Sequence, residues 1–415
     1  MTLTSQTIIK NSSEYYKLFD ELCFKAKNLY NSALYKLRQA HFEYDAIMSY
    51  GSIDKVLKRE KSIDYADMPM ASSAQGTVKL VMQNWNSFWA AIKSYNKNPD
   101  KFLGKPKMPN YLHKINGRSA VFLTNQNVKV KDGILHFPKS FNGFTIPVNF
   151  DNSSIQQVRI IPKNKHFAVE TVYKIQDIPL NEDNSRYIGV DLGLDNFATV
   201  VSNDGSEPVL INGKGLKSLN KHWNKRMSHL REVETAMNGE WITIKNGKAK
   251  VSKQTNQQII LTNKRNNQVK DFCHKASRKI IALALERGCN TVVVGKDDGW
   301  KQESKMSKKV NQSFIQIPHA VFINMLKYKC EKYGLNFVTT EEAHTSKTSW
   351  LDDEIPKHQE KYAGQRVKRG LFKSSTGNFI NADVNGALQI IKKVFPKAKT
   401  DGIWAYGQPV RVNVV

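Results

Sequence analysis

Residues 187–211 restrict the possible folds more strongly than any other part of the chain. The apolar run Tyr187–Val190 ends in Asp191, and after a short turn Phe197–Val201 runs back. A second turn, with the sequence Asn-Asp-Gly, leads into Val209–Ile211. Short β-branched runs separated by such turn residues are typical of hairpins. The pattern therefore predicts three consecutive antiparallel strands with a carboxylate at the end of the first.

Three strands of this kind begin an RNase H-like sheet, and later segments match its remaining parts. Thr291–Val294 is an uninterrupted apolar run, as expected of a strand that is buried on both faces. A predicted helix over Pro318–Tyr333 leads into a strand over Leu335–Thr340, and such a βαβ unit has parallel strands joined by a right-handed crossover. Two basic helices lie in an insertion, and a final amphipathic helix starts near Asp383.

The N-terminal part of the chain has a different periodicity. Apolar residues recur every three or four positions within 11–44 and again from Val78 to Ile92, which indicates two amphipathic helices. After Lys105 the pattern alternates, and short strands interrupted by Pro and Gly suggest a small antiparallel barrel.

We therefore predict an α+β multidomain protein. The predicted boundaries are 1–10 for a first barrel strand, 11–104 for a helical domain, 105–182 for the barrel, 183–344 for the RNase H-like domain with a helical insertion at 214–285, 345–379 for a basic segment, and 380–415 for the closing helix and tail.

The net charge indicates the kind of partner. The chain has 63 Lys and Arg against 37 Asp and Glu, a net charge of +26. Such an excess opposes compaction and is typical of proteins that bind a polyanion, so nucleic acid is the first candidate and an anionic membrane the second. The longest apolar run, Ile280–Leu285, is far shorter than the about 20 residues that a membrane span needs. Met1–Asn11 lacks the charged leader and apolar core of a signal peptide.

Cysteine usage indicates the redox environment. The four cysteines are far apart in the sequence, and no Cys-x-x-Cys pair occurs. This spacing argues against a disulfide framework and against a local zinc site. We expect all four to be reduced core residues of a cytoplasmic protein, namely Cys23, Cys273, Cys289 and Cys330.

Carboxylates at the predicted sheet edge point to phosphodiester hydrolysis. An RNase H-type site uses two divalent metals about 4 Å apart, and Mg²⁺ among such metals prefers hard oxygen ligands. Asp191 stands where one ligand is expected and Asp383 where a second is expected. An Asp at the start of a helix can equally be its N-cap. The third acid is expected at the end of the fourth strand, where this chain has Gly295.

Acids near Gly295 are candidates for the third ligand. The fifth strand, which lies beside the fourth in this topology, ends in Glu341 and Glu342. Strand alternation places these two on opposite faces, so only one of them faces the metals. We favour Glu341 and keep Glu342 as the alternate, while both could instead be solvated charges at a strand end. Should neither serve, the next candidates are Asp297, Asp298 and Glu303.

Several short motifs resemble those of one nuclease family. Ile188–Leu194, followed by Phe197-Ala198-Thr199, resembles the first RuvC motif of the TnpB family, the transposon-encoded RNA-guided nucleases ancestral to the miniature type V CRISPR effectors. Asp383–Ala387 is similar to the third RuvC motif of that family, and Thr345–Lys347 to the block after its fifth strand. The N-terminal helices, the Pro-rich stretch Lys105–Tyr111 and the following strands match the order of its recognition lobe and wedge barrel. The resemblance spans nearly the whole chain.

The sequence departs from this family in two places. Most relatives have a Glu in the second RuvC motif, where this chain has Gly295, and a branch of the family places a compensating Glu before the Thr-Ser-Lys block, which fits Glu341 or Glu342. Most relatives also hold a four-Cys zinc ribbon between Thr345 and the last helix. This chain has no Cys there, so we expect no zinc in 345–379.

The resemblance implies a Mg²⁺-dependent endodeoxyribonuclease that binds a structured guide RNA of the omega type and recognises a short target-adjacent motif. It would cleave double-stranded target DNA with two Mg²⁺ ions in a single RuvC site, as a monomer in the prokaryotic cytoplasm, in association with the nucleoid. The implied catalytic and metal-binding residues are Asp191, Glu341 and Asp383. The basic residues expected to contact nucleic acid are Lys217, Lys221, Lys225, Arg226, Lys275, Arg278, Lys347, Arg366, Lys368 and Arg369. The alternative, motivated by Gly295, is a guide-RNA-dependent DNA-binding repressor whose nuclease has decayed.

Overall fold

The computed structural model describes residues 1–238, 242–245, 248–251, 254–296, 312, 316–400 and 408–414. The chain divides into two compact units, Met1–Gln176 and Asp177–Val415. Each unit combines helices with antiparallel sheets, so the predicted mixture of α and β structure is confirmed. Among the described residues, no helix has the length and apolar character needed to cross a bilayer.

Helices of the first unit pack through their apolar faces. They are α1 (Tyr16–Tyr44), α2 (Tyr50–Arg59), α3 (Ile63–Ala66) and α4 (Ala71–Lys97). Helices α1 and α4 are the two amphipathic helices predicted from the sequence, and Leu29 and Trp85 are almost completely buried between them and their neighbours. The periodicity does not reveal α2, because this short helix buries only two apolar side chains, Ile53 and Leu57.

Seven strands in the first unit form two antiparallel sheets. They are β1 (Thr2–Lys10), β2 (Val121–Thr124), β3 (Lys129–Lys131), β4 (Ile134–His136), β5 (Thr145–Pro147), β6 (Ile155–Lys163) and β7 (His166–Lys174). One sheet has the order β1-β7-β6-β2 and the other β3-β4-β5. Strand β1 pairs with β7 over its whole length, so the first residues of the chain join strands from the end of the unit. Asp132 and Gly133 connect β3 to β4 with φ of 51° and 71°, as a type I′ turn requires.

A mixed sheet forms the centre of the second unit. Its strands are β8 (Tyr187–Leu192), β9 (Asn196–Ser202), β10 (Val209–Asn212), β13 (Thr291–Gly295), β14 (Asn336–Thr340) and β18 (Val410–Val412), in the order β14-β13-β8-β9-β10-β18. Strands β8, β9 and β10 are consecutive and antiparallel, while β13 is parallel to both β8 and β14. These are the hairpins and the parallel βαβ unit that the sequence predicts. A hairpin of β11 (Ile242–Lys245) and β12 (Lys248–Val251) and a sheet of β15 (Gln365–Lys368), β16 (Leu371–Lys373) and β17 (Phe379–Asn381) complete the strands of the described ranges.

The two faces of strand β8 pack against different helices. The helices of this unit are α5 (Lys214–Asn238), α6 (Asn256–Glu286), α7 (His319–Lys332) and α8 (Ala382–Val394). Ile188 and Val190 belong to the core that contains α6 and α7, whereas Tyr187 belongs to the core of α8. Strand alternation therefore places Gly189 and Asp191 on the α8 face as well. A Cβ on Gly189 would lie 2.3 Å from the carbonyl oxygen of Ala387, so only glycine permits this close packing.

The cysteines are in the predicted environment. Cys23, Cys273, Cys289 and Cys330 are buried and free. Burial raises the pKa of the Cys273 thiol to about 11 and that of Cys330 to about 12. Thiols of this kind are poor nucleophiles and behave as small apolar side chains. The prediction of reduced core cysteines is confirmed.

Candidate active site

Asp191 and Asp383 come together where strand β8 ends beside the first turn of α8. Asp191 is the fifth residue of β8, and a Cβ on Gly386 of α8 would lie 3.1 Å from its Oδ2. The backbone of α8 therefore approaches the Asp191 carboxylate closely. Burial and the nearby charge of Asp383 raise the pKa of Asp191 to about 7, against a smaller opposing effect of Arg366. The two acids thus repel each other in a partly desolvated setting, an arrangement typical of sites that bind a cation.

Asp383 is not the N-cap of α8. Asn381 has that role, because its side-chain oxygen accepts hydrogen bonds from the backbone N–H groups of Asp383 and Val384, at 3.0 and 3.2 Å. The Asp383 carboxylate instead accepts a hydrogen bond of 2.8 Å from Asn196 Nδ2 at the start of β9. The sequence left open whether Asp383 caps the helix, and the structure gives this role to Asn381 instead. The Asp383 side chain faces β8 and β9.

A positive charge accompanies Asp383. The Arg366 guanidinium on β15 lies 3.7 Å from Asp383 Oδ1. This is the only one of the basic residues predicted to bind nucleic acid that has a recorded ion pair with a predicted catalytic acid in the described parts of the chain. Because Arg366 is paired across the sheet with the buried Phe372, it lies on the inner face of the small sheet, toward the acids.

Glu342 lies in the position where the sequence lacks an acid. Strand β13 pairs with β8 so that Val294 is opposite Val190, and the next residues along the two strands are Gly295 and Asp191. A Cβ on Gly295 would be 2.5 Å from Glu342 Oε1 and 2.8 Å from Glu342 Cγ, so a side chain at this position would displace the Glu342 carboxylate. The carboxylate of Glu342, from the chain after β14, thus lies over Gly295 and beside the strand that carries Asp191.

Glu341 has a different environment from Glu342. Its side chain is 70% exposed, and its Oε1 accepts from Lys393 Nζ at 3.0 Å. The strand alternation used in the sequence analysis gives no guide here, because β14 ends at Thr340 and both acids lie beyond it. Asp297, Asp298 and Glu303 lie outside the described residues.

The donor set fits a hard divalent cation in its chemistry. Asp191, Asp383 and Glu342 offer only carboxylate oxygens, the ligands that Mg²⁺ prefers. Burial and the charge of Asp383 raise the pKa of Asp191, and Glu342 lies over Gly295 on the strand that is paired with β8. In the described parts of the chain, however, no group of three or more His, Cys, Asp or Glu side chains is already arranged to hold a metal ion.

A second acidic residue near this edge joins two basic segments. Asp195, in the turn between β8 and β9, accepts from Lys217 of α5 at 2.5 Å and pairs with Arg369 between β15 and β16. The hydrogen bond from Lys217 and, to a smaller extent, the charge of Arg369 lower the pKa of Asp195. Asp195 therefore ties the small sheet and the helical insertion to the turn that follows Asp191.

The other predicted nucleic-acid-binding residues lie on the surface. Lys275 of α6 pairs with Asp271 one turn earlier, at 2.9 Å. The remaining members of the set are exposed, namely Lys221, Lys225, Arg226, Arg278, Lys347 and Lys368. The sequence analysis missed Asn196, for which no sequence signal stands out, and Asn381, although Asn is a preferred N-cap residue. It also did not connect Gly295 with Glu342, although a glycine at the position expected for an acid was a usable signal.

Two family models match parts of the chain, mostly within the second unit. Residues 170–300 match the OrfB_IS605 family, described as "Probable transposase", and residues 319–390 match the model described as "Cas12f1-like, TNB domain". Both matches confirm the resemblance to the TnpB family that the sequence motifs indicate. Among curated proteins, none matches the sequence.

Solved structures of type V effectors align with the chain at low identity. A Cas12f1–sgRNA–target DNA complex is 17% identical, with 94% of this chain and 98% of that chain covered and a TM-score of 0.35. CasPhi-2 (Cas12j) bound to crRNA and DNA is 10% identical, with 97% and 92% covered and a TM-score of 0.47. C2c1 of Alicyclobacillus acidoterrestris with single-guide RNA is 11% identical, with 94% and 70% covered and a TM-score of 0.37. Because these identities and TM-scores are low, we describe the fold by the strand order given above and not by the alignments.

Proposed function

We propose that this TnpB-family protein is an RNA-guided DNA endonuclease with a single RuvC-type site built from Asp191, Asp383 and Glu342. The observation that carries the proposal is the convergence of Asp191 and Asp383 from distant parts of the sequence into one partly desolvated site. Acids that repel each other in this way destabilise the protein unless they bind a cation. Such an arrangement is therefore expected at a functional site.

The strand order supports an RNase H-like assignment for the second unit. Three antiparallel strands, β8 to β10, are followed by β13 and β14, which add in parallel on the other side of β8. This order makes β8 a central strand and brings its end close to α8 and to the chain after β14. The helices α5 and α6 form the insertion between β10 and β13. We assign the sheets of the first unit to the wedge domain and its helices to the recognition lobe, with the boundaries given above.

Mg²⁺ bound at these carboxylates would activate water and stabilise the leaving oxygen of the cleaved phosphodiester. The residues of this chain prepare the site in other ways. Asn196 holds the Asp383 carboxylate through its 2.8 Å hydrogen bond, so that the side chain is fixed before a cation arrives. Arg366 offsets part of the negative charge and is placed to contact a phosphate near Asp383.

We propose Glu342, rather than the Glu341 favoured from the sequence, as the third acid. Glu342 lies over Gly295 beside Asp191, whereas Glu341 is mostly exposed and pairs with Lys393. The two neighbours form a matched pair for mutagenesis. We expect Glu342→Gln to slow cleavage by about a hundred-fold or more, because a charged ligand is lost. Glu341→Gln removes only an exposed ion pair, so a change of at most about two-fold is expected.

The charge of +26 supports the proposed partners. A guide RNA and the RNA–DNA heteroduplex are held mainly through backbone contacts, while base pairing supplies sequence specificity and the protein reads a short adjacent motif. The exposed basic residues of α5 and α6 are suited to such contacts. We assign Lys221, Lys225, Arg226 and Arg278 to this role.

The central experiment purifies the protein with its bound RNA and sequences that RNA. A matched duplex is then incubated with the complex and Mg²⁺, and cleavage of each strand is measured on a denaturing gel. We expect a discrete structured RNA and cleavage that is lost in Asp191→Ala. A preparation free of RNA, or a variant Asp191→Ala that still cuts, would contradict the proposal.

The second candidate function is a guide-RNA-dependent DNA-binding repressor. The absence of an acid at Gly295 favours it, because the usual second RuvC motif is incomplete. The position of Glu342 over that glycine favours the nuclease instead. Tight binding of the matched duplex without cleavage, at any Mg²⁺ or Mn²⁺ concentration, would select the repressor.

A further inference from the structure

A cavity of about 650 Å³ lies at the end of the central sheet opposite to the acids. Its walls come from the chain that enters β8, the turn that follows β9 and the chain that follows α8. A volume of this size suits one small ligand and is too small for a nucleic-acid duplex. The cavity is therefore a candidate site for a small molecule.

The cavity is separate from the acidic site, although the same two elements border both. Tyr187 begins β8 and lines the cavity, while Asp191 lies four residues later, about 13 Å away at about 3.3 Å per residue. Phe395 follows the last residue of α8, and Asp383 in the first turn of that helix is about 18 Å away at 1.5 Å per residue. A small ligand in the cavity would therefore not contact the carboxylates.

Two stacked aromatic rings form an apolar part of the wall. The ring centres of Tyr187 and Phe395 are 3.8 Å apart, and the ring planes differ by 7°. Tyr187 is buried whereas Phe395 is half-buried, so Phe395 is the ring that a ligand can approach. Aromatic side chains in such positions stack on the flat rings of nucleic-acid bases.

The polar part of the wall carries an excess of positive charge. Three exposed basic residues line the cavity, namely Arg186, Lys397 and Lys399. Within the described ranges of the chain, none of the three has a recorded ion pair. Asp204 also lines the wall, but its carboxylate already accepts hydrogen bonds from Ser202 and Ser206. The free charges therefore favour an anionic ligand.

A neighbouring cavity has a similar volume and a different character. It encloses about 680 Å³, and its wall includes Glu207 and Glu286. Arg287 also lines it, but this guanidinium donates to Ser202 and to the carbonyl of Glu207. Its charge is therefore not suited to an anion, which distinguishes the cavity beside Phe395 from an ordinary cleft of the same size.

Asn203 holds the wall in place before a ligand binds. It is 8% exposed, and its side-chain oxygen accepts from the backbone N–H of Tyr187 at 2.7 Å. Its Nδ2 donates to the carbonyls of Ser185 and Lys399, at 2.9 and 3.3 Å. Ser185 has a φ of 59°, a left-handed conformation that is uncommon for residues other than glycine and occurs often at functional sites. A wall held in this way needs little rearrangement on binding.

We propose that this cavity binds a nucleoside 5′-monophosphate, with the base on Phe395 and the phosphate among Arg186, Lys397 and Lys399. A ligand that uses both parts of the wall needs a flat ring and a phosphate within one small molecule, which a mononucleotide supplies. A free nucleotide and the phosphorylated end of an RNA present this same chemistry. The inference goes beyond the proposed endonuclease function and does not rest on it.

Calorimetric titration with AMP tests the cavity, using the purified protein with any RNA that it retains. AMP should bind about ten-fold or more tightly than adenosine or inorganic phosphate, because each of these makes only part of the contacts. The double variant Lys397→Gln with Lys399→Gln removes two exposed charges and should weaken AMP binding about ten-fold. The charge-matched control, Lys327→Gln with Lys332→Gln on α7, should bind AMP as the wild type does.

Phe395→Leu tests the stacking contact. It should weaken AMP binding about five-fold and leave the affinity for inorganic phosphate unchanged, and thermal unfolding checks that the variant is folded. Equal AMP affinity in the wild type and the variant at Lys397 and Lys399 would overturn the proposal. Equal affinities for AMP and adenosine, or a wild type that does not bind AMP, would overturn it as well.

Competition with a 5′-phosphorylated tetra-adenylate RNA distinguishes the two sources of the ligand. Displacement of AMP by this RNA, but not by its unphosphorylated form, would assign the cavity to the end of an RNA. AMP binding that neither RNA disturbs would assign it to a free nucleotide. Displacement by both forms would show that the terminal phosphate is not recognised, and the mononucleotide assignment would be wrong.

Discussion

The two faces of helix α8 handle buried polar groups in different ways. In its first turn, Asp383 lies beside Asp191, and their mutual repulsion with burial raises the pKa of Asp191 to about 7. Further along the same helix, Asn385 is fully buried and has partners on both sides. It accepts from the backbone N–H of Trp350 at 2.9 Å and donates to the carbonyl of Thr348 at 2.8 Å.

The later part of α8 continues this pattern of satisfied groups. Gln389 donates to the carbonyl of Glu354, and Lys392, only 2% exposed, pairs with Asp353 and lies 5.3 Å from the Trp350 ring. With Asn385, these side chains hold residues 348–354, at the start of the segment in which we expect no zinc. This comparison indicates that acids which repel each other occur where a cation is expected to bind, whereas buried polar groups with hydrogen-bond or ion-pair partners stabilise the fold.

The largest effect is expected from Asp191→Asn. Loss of one carboxylate should slow cleavage by about a thousand-fold or more, since a metal ligand contributes several kcal/mol to transition-state stabilisation. Stability should change in the opposite direction. Because folding raises the pKa of Asp191 from 3.8 to about 7, the wild type loses stability as pH rises through that window, and the variant does not.

Thermal unfolding without divalent ions checks this at pH 4 and pH 8. Asp191→Asn should match the wild type at pH 4 and exceed it at pH 8. A variant that is less stable at pH 8 would show that the acid pair contributes to the fold, and the contrast between the two faces of α8 would be lost.

The Gly295 and Glu342 pair provides the next test. A Cβ on Gly295 displaces the Glu342 carboxylate, so Gly295→Ala should slow cleavage by about a hundred-fold, the usual cost of a misplaced catalytic group. The double variant Gly295→Glu with Glu342→Gly returns the acid to the strand and removes the Glu342 atoms from the space above it, so that the new Cβ displaces only the end of the Ile390 side chain, whose Cδ1 is 2.7 Å away. Single-turnover cleavage should be faster in the double variant than in Gly295→Ala. If the double variant is no faster, Glu342 does not stand in for the missing acid.

Asn385→Ala tests the satisfied part of the helix. Removing its amide leaves a buried N–H and a buried carbonyl without their partner, which should lower the free energy of unfolding by about 1–3 kcal/mol. Urea unfolding measures the loss. Incubation with a zinc chelator should leave the wild-type midpoint unchanged, because this segment has no Cys. A chelator-sensitive midpoint would contradict the expectation that 345–379 folds without zinc.

A pH-dependent effect is expected at a cation with neutral partners. Lys329 of α7 donates to the His274 carbonyl and to Ser277 Oγ, and burial lowers its pKa to about 8. Since the unfolded chain holds this proton up to about pH 10.5, its unfavourable contribution disappears as pH rises from 8 to 10.5. Over that window the wild type should gain stability relative to Lys329→Met. A constant difference between the two proteins would refute the lowered pKa.

Local pattern was sufficient for much of the second unit. The turn sequences predict the hairpins of β8 to β10, and the apolar run at β13 predicts a strand buried on both faces, because both signals depend on neighbours in the chain. The pairing of β1 with β7 could not be predicted from local pattern. Residues 1–10 were assigned to a sheet with much later strands because of the resemblance to the TnpB family.

Some residues of the candidate site can likewise be predicted from local pattern and others cannot. Asp191 and Asp383 are recognisable from sequence because each ends or begins a regular element, which places it at a known edge of the sheet. The choice between Glu341 and Glu342 cannot be made from the sequence, because both follow the last residue of β14 and strand alternation no longer applies to them. Arg366 could be listed only as one of many basic residues until its sheet was folded against α8.

The sequence by itself determined the order of the main strands and helices, the excess of positive charge and the positions of two acids, because these depend on side-chain chemistry and short-range geometry. Only the tertiary structure decided that Glu342 lies over Gly295 and that Phe379 faces outward. Those features depend on which side chains meet across separate strands, where space and charge are set by residues far away in the chain.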